Sequence, residues 1–248
     1  MALVLENGIW KLEADGVAAT PVSLALTPTS GTPASIADGA TLDTTMLNGW
    51  KVWDPTGYLT GGSITDDGSV MTARATGGSA NAETGSGLWT NASLFFDTWL
   101  TGDFSAELKY AGESSMQTNT AWIGIAAGQR GKASPKAAFN SASAGHHTNS
   151  SRDTQWNSGV SSASGTTLYV RDTSAIAWTT TTWMQLKREG STVTVSRKTA
   201  DDDDWTVVEA NAVDLVGERF QISILIRPYN LKSFYLYAFN LTGTESAT

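Results

Sequence analysis

The chain has 248 residues, 24 of them acidic against 16 basic, with a formal charge of −8 and a pI near 4.7. That balance excludes a nucleic-acid binder, because phosphate contact needs clustered Lys and Arg. The absence of cysteine removes disulfides, thiol nucleophiles and Cys-ligated zinc.

The first forty residues differ from the rest. A short apolar opening (Leu3, Val4, Leu5, Ile9, Trp10) runs into Thr27-Pro28-Thr29-Ser30-Gly31-Thr32-Pro33, whose composition predicts an extended N-terminal arm or linker over 1–40 that orders against another subunit. The start lacks a basic n-region, so no signal peptide is expected. No apolar run is long enough to span a bilayer, and no membrane insertion is expected. From about Leu42 the pattern changes. Gly61 to Thr72 contains two short runs around Asp67-Gly68, a turn that wants positive φ. Gly102 to Tyr110 alternates, with Phe104, Ala106, Leu108 and Tyr110 on one face. Trp122 to Gly128 reads as a buried strand. Residues 129 to about 165 are rich in Ser, Ala, Asn and Gly and read as a long polar insertion, a type of connection that is usually functional or mobile.

The most informative stretch is Thr182 to Ala210. Met184, Leu186 and Arg188 alternate with Trp183, Gln185 and Lys187; a turn at Glu189-Gly190-Ser191 follows, then Val193 and Val195 alternate with Thr192, Thr194 and Ser196. This is a hairpin pattern. Phe220, Ile222, Ile224 and Ile226 share a face, and Ser233 to Phe239 is apolar on both faces, as an interior strand should be. No helix-period segment stands out, so the class is all-β.

The order "tryptophan, basic strand, Gly turn, Thr/Val strand, acidic turn, Trp-Thr" over Trp183–Thr206, preceded by a Trp segment (Trp50 to Trp53), the Asp67-Gly68 hairpin and the Gly102-Asp103-Phe104 strand entry, resembles the concanavalin A-like (LamG/laminarin-binding) jelly-roll superfamily. The resemblance covers roughly 42–243. It implies a concanavalin A-like β-sandwich over 41–248, with Trp50, Trp53, Trp183 and Trp205 at core positions. It does not imply one activity, since the superfamily holds lectins, hydrolases, adhesins and structural modules. The opening Met1 to Gly8 is similar to the starts of some tailed-phage virion proteins.

Candidate chemistry is sparse. Glycosidic cleavage requires a pair of carboxylates, commonly Glu-x-Asp-x-x-Glu on one strand of this superfamily, and no predicted strand carries it; Glu107 stands alone on its strand. The chain is therefore expected not to be an enzyme, and no cofactor is expected. Asp201 to Asp204 are adjacent, so they point in alternating directions and read as an exposed acidic tip rather than a calcium loop. His146 and His147 are the only histidines; as a metal pair they would need several copies brought together in an oligomer. Sugar binding requires exposed aromatics beside amide, acid or Arg groups. Trp89, Trp156 and Trp178, in or next to predicted loops, with Arg152, Asp153 and Tyr169, form the predicted patch. Together the arm, the phage-like start and the cysteine-free composition favour a virion structural protein (a tail, fibre or capsid-decoration component), partnered with other virion subunits as a homo-oligomer. A carbohydrate-binding or host-attachment module recognising a host-surface glycan is the alternative reading, and a glycoside hydrolase or lyase the less favoured one.

Overall fold

The computed structural model describes residues 2–6, 9–13, 21–27, 29, 39–42, 47–53, 63–75, 93–114, 122–128, 141–148, 154–161, 167–172, 176–212, 219–227 and 232–245. Among these the regular elements are all strands: β1 (Ala2–Glu6), β2 (Ile9–Glu13), β3 (Pro21–Leu26), β4 (Lys51–Trp53), β5 (Ser63–Asp66), β6 (Met71–Ala75), β7 (Ser93–Phe95), β8 (Leu100–Gly112), β9 (Trp122–Gly128), β10 (Ser141–Thr148), β11 (Thr154–Ser161), β12 (Thr167–Asp172), β13 (Thr182–Glu189), β14 (Thr192–Lys198), β15 (Thr206–Ala212), β16 (Arg219–Arg227) and β17 (Lys232–Glu245). No helix among them is long and apolar enough to cross a membrane.

β1 and β2 pair only with each other. The other strands form one antiparallel ladder that folds into two layers. The front layer runs β12-β11-β10-β9-β16-β7-β4, and the back layer runs β15-β14-β13-β8-β17. The far edge of β17 is shared: Phe239 to Thr244 pair with β3, and Lys232 to Leu236 pair with β6, which is joined to β5. β16 is the seam, because Arg219 and Phe220 pair with β8 while Gln221 to Arg227 pair with β9.

Alternation explains the core. Phe104, Ala106, Leu108 and Tyr110 of β8, Met184 and Leu186 of β13, Val193 and Val195 of β14, and Phe220, Ile222, Ile224 and Ile226 of β16 are all buried in one cluster, as their period of two predicts. Trp50 meets Phe239 edge-on, with centroids 5.1 Å apart, and Phe104 packs on Phe220 at 4.9 Å. Burial pushes the Tyr110 phenol well above its usual range. β17 is paired along both edges, and its two-faced apolar sequence pattern resolves into one buried face. A register shift between Leu236 and Ala238 reverses its parity, so Phe234 and Leu236 before it and Phe239 and Leu241 after it are all buried. Arg188 is buried beside Leu186; it donates to the carbonyls of Gly190 (2.9 Å) and Gly102 (3.1 Å), which satisfies the charged head. The two predicted turns have the expected chemistry. Gly68 and Gly190 adopt φ of 91° and 58°, and the Asp67 carboxylate accepts from the Ser69 hydroxyl and from the Ser69 and Val70 amides. Those bonds lower its pKa.

Two sequence expectations are corrected. The arm over 1–40 is not wholly an arm: Val22, Leu24 and Leu26 of β3 pack on the core, so the sandwich takes in residues 21–26. Pro21 is compatible with this because it opens an edge strand, where its missing N–H costs no ladder bond. The stretch 129–165 is not simply an insertion, since β10 and β11 lie in it and extend the front layer beyond β9.

Candidate functional site

One member of the predicted patch lies inside the core. Trp178 is only 6% exposed and packs on Phe234 with centroids 5.7 Å apart. It is a core residue and has no face left for a ligand. Trp156 is in register with Asp172, and Tyr169 with Gly159. Trp89, Arg152 and Asp153 lie outside the described residues. His146 and His147 fall on β10, in register with Trp156 and Gln155 of β11. Among the described residues no group of three or more His, Asp or Glu is placed to hold a metal.

A different surface assembles on the outer face of the front layer. Leu94, Phe96 and Leu100 turn inward, Phe96 against Trp50. The intervening Phe95, Asp97 and Trp99 take the other face, Phe95 at the end of β7 and the other two in the segment that joins it to β8. Each has a partner on β16 that alternates in the same sense: Phe95 is in register with Ser223, Asp97 accepts from the Gln221 amide at 3.3 Å, and the Arg219 guanidinium lies 5.8 Å from the Trp99 ring centroid. On the other side Lys51 of β4, in register with Phe95, makes an ion pair with the second Asp97 oxygen. Gln221 is 4% exposed, so a buried amide fixes the carboxylate. Lys51 and Asp97 remain 42% and 44% exposed and open to a ligand. Their pairing is weak in water and is exchangeable for ligand hydroxyls. The result is an aromatic–acid–aromatic strip with a cation at each side. Its sequence signal is the period of two in Phe95-Phe96-Asp97-Thr98-Trp99, which a reading of tryptophans in loops does not register.

The outer face of the back layer carries a second aromatic cluster. Trp183 and Trp205 are half-buried there, which corrects the core positions that the resemblance implies for them. Trp50 does hold its core position, and Trp53 is half-buried. The Lys198 ammonium lies 5.7 Å from the Trp183 ring and 5.0 Å from the Trp205 ring, and the Lys109 ammonium 5.6 Å from Trp183. Asp201 closes the group. Its carboxylate accepts from Lys109 at 2.8 Å and from the Trp183 indole at 2.6 Å, and its carbonyl accepts from Lys198 at 2.7 Å. The bonds from Lys109 and Trp183 hold the Asp201 pKa below its usual range. The four-aspartate tip is exposed, and Asp203 is engaged in capping its own turn through the Ala200 amide and Thr199 hydroxyl. Farther along this face Glu107 accepts from Gln185 and Asn240.

No protein-family model and no curated protein sequence matches the chain. Solved structures do match in fold. Lectin II from Ulex europaeus superposes with a TM-score of 0.56 at 6% identity, over 89% of this chain and 97% of that one. The exoplasmic/lumenal domain of VIP36, in a Ca2+/Man3GlcNAc-bound form, gives 0.51 at 11% identity over 80% and 85%. The GH43 protein BlXynB from Bacillus licheniformis gives 0.51 at 9% identity over 78% of this chain and 36% of that one. The chain has the concanavalin A-like jelly-roll fold.

Proposed function

We propose that the protein is a non-enzymatic carbohydrate-binding module and that the Phe95–Asp97–Trp99 strip is its binding face. The observation that carries this reading is the strip itself. Sugars are recognised by aromatic rings against their apolar faces and by acid, amide or guanidinium groups at their hydroxyls, and the strip presents both kinds in one row alongside β16. The likeness in fold to lectins supports the same reading. A non-enzymatic role fits Asp97, whose two oxygens are held by Gln221 and Lys51, and Glu107, which lies on the other layer. A virion role finds no support in the comparisons, and the docking arm on which it rested is in part a sandwich strand.

The test is a glycan array followed by calorimetric titration of the best hit with wild type, Trp99→Ala and Asp97→Ala. Each variant is expected to lose about tenfold or more in affinity, the usual effect of removing a central contact, with circular dichroism unchanged. Full affinity in both folded variants would remove the strip from the site.

A further inference from the structure

We propose that the glycan taken by this strip is acidic, carrying a uronate carboxylate or a sulfate ester, and that Arg219 holds the anionic group. The inference rests on the carbohydrate-binding reading above and narrows its ligand class. Arg219 is exposed, yet its guanidinium lies over the Trp99 ring, and its backbone is pinned by pairing with Thr101 of β8. Stacking on an aromatic ring holds the planar fork in one orientation, and that fork matches the two oxygens of a carboxylate or sulfate.

No ion pair among the described residues includes Arg219. The other cation of the strip, Lys51, is paired with Asp97, so the two ends of the row differ: one is neutralised internally and the other presents a positive charge. The chain as a whole carries −8, so a polyanion would be drawn only to such a local cationic site. Asp97 is held by Gln221, and Arg219 lies two residues along the same strand, about 7 Å of extended backbone, a distance that one sugar unit spans with hydroxyls on Asp97 and its anionic substituent on Arg219.

The experiment is an array of oligosaccharides in matched sets, each neutral chain beside its uronate and sulfate-ester counterparts. It is probed with wild type, Arg219→Ala, Arg219→Lys and, as an off-site control, Lys198→Ala. Wild type is expected to prefer the acidic member of a set by about tenfold or more, less so at high salt; which of the two acidic counterparts binds better identifies the anion. Arg219→Ala should lose that preference, Arg219→Lys should retain part of it, and Lys198→Ala should keep it whole. Binding of neutral and acidic members alike, or a preference that survives Arg219→Ala, overturns the acidic ligand and leaves the carbohydrate-binding module standing. Absence of binding across every set overturns both.

Discussion

The molecule carries an aromatic–cation surface on each layer, and the two are built to different ends. On the back layer, Lys109 and Lys198 stack on Trp183 and Trp205 and then both bond to Asp201, which also takes the Trp183 indole N–H. Both ammonium groups and the Trp183 indole are bonded within the protein. On the front layer, Arg219 stacks on Trp99 with no carboxylate among the described residues to receive it. The ring and cation content is alike in the two places. The difference is the partner, and it separates a surface that holds its own strands together from one that has bonding capacity left for another molecule.

Substitutions sharpen or break this contrast. The largest stability effect is expected for Trp183→Ala, about 2 kcal/mol in urea denaturation, from loss of the Asp201 bond, two cation–π contacts and half-buried ring area. Glycan affinity should not move. A stability change near zero would mean that the back cluster does not hold the sheet. Lys198→Ala should cost about 1 kcal/mol, since it removes contacts to both rings. For Trp99→Ala the balance should tip the other way, with a smaller stability loss of about 1 kcal/mol from one cation–π contact and partly buried ring area and a clear drop in glycan affinity. If Trp99→Ala unfolds the protein instead, the front strip is structural too. The smallest effect is a pH dependence. Because the Asp201 pKa is depressed in the folded state, its contribution is present above its ordinary value near 3.8 and is lost as pH falls through the lower folded value. The stability difference between wild type and Asp201→Asn should therefore be full at neutral pH and close in acid.

Much of the fold was legible because alternation and turn chemistry are local. The opposition of Met184 and Leu186 to Trp183 and Gln185, the Gly68 and Gly190 turns, and the inward faces of β8 and β16 were all written in the residues. What was not legible depended on partners. Val22, Leu24 and Leu26 alternate, but the flanking Thr and Pro residues hid them; only pairing with β17 makes them a strand. β10 and β11 are built largely from Ser, Ala, Gly and Asn, whose intrinsic strand preference is low, and neighbours in the ladder override it. Trp178 was misplaced for a related reason. Proximity to a loop says nothing of burial, and Trp178 goes inside. The strip needed the inward turn of Phe96 to be known before Asp97 and Trp99 read as one surface.

The double-edged pairing of β17 has a consequence for how the protein is made. One strand serves as neighbour to β8 along one edge and to both β3 and β6 along the other. The ribosome delivers those three strands long before it delivers their shared partner. Until residues 232–245 emerge, β8 has its β13 side closed and the β17 side bare, a row of unpaired amides and carbonyls able to recruit a neighbouring nascent chain. The last described strand is the one that seals the back layer. Sandwich formation is thus expected to be a late, slow, long-range event, with the half-made chain at greatest risk of misassembly just before β17 arrives.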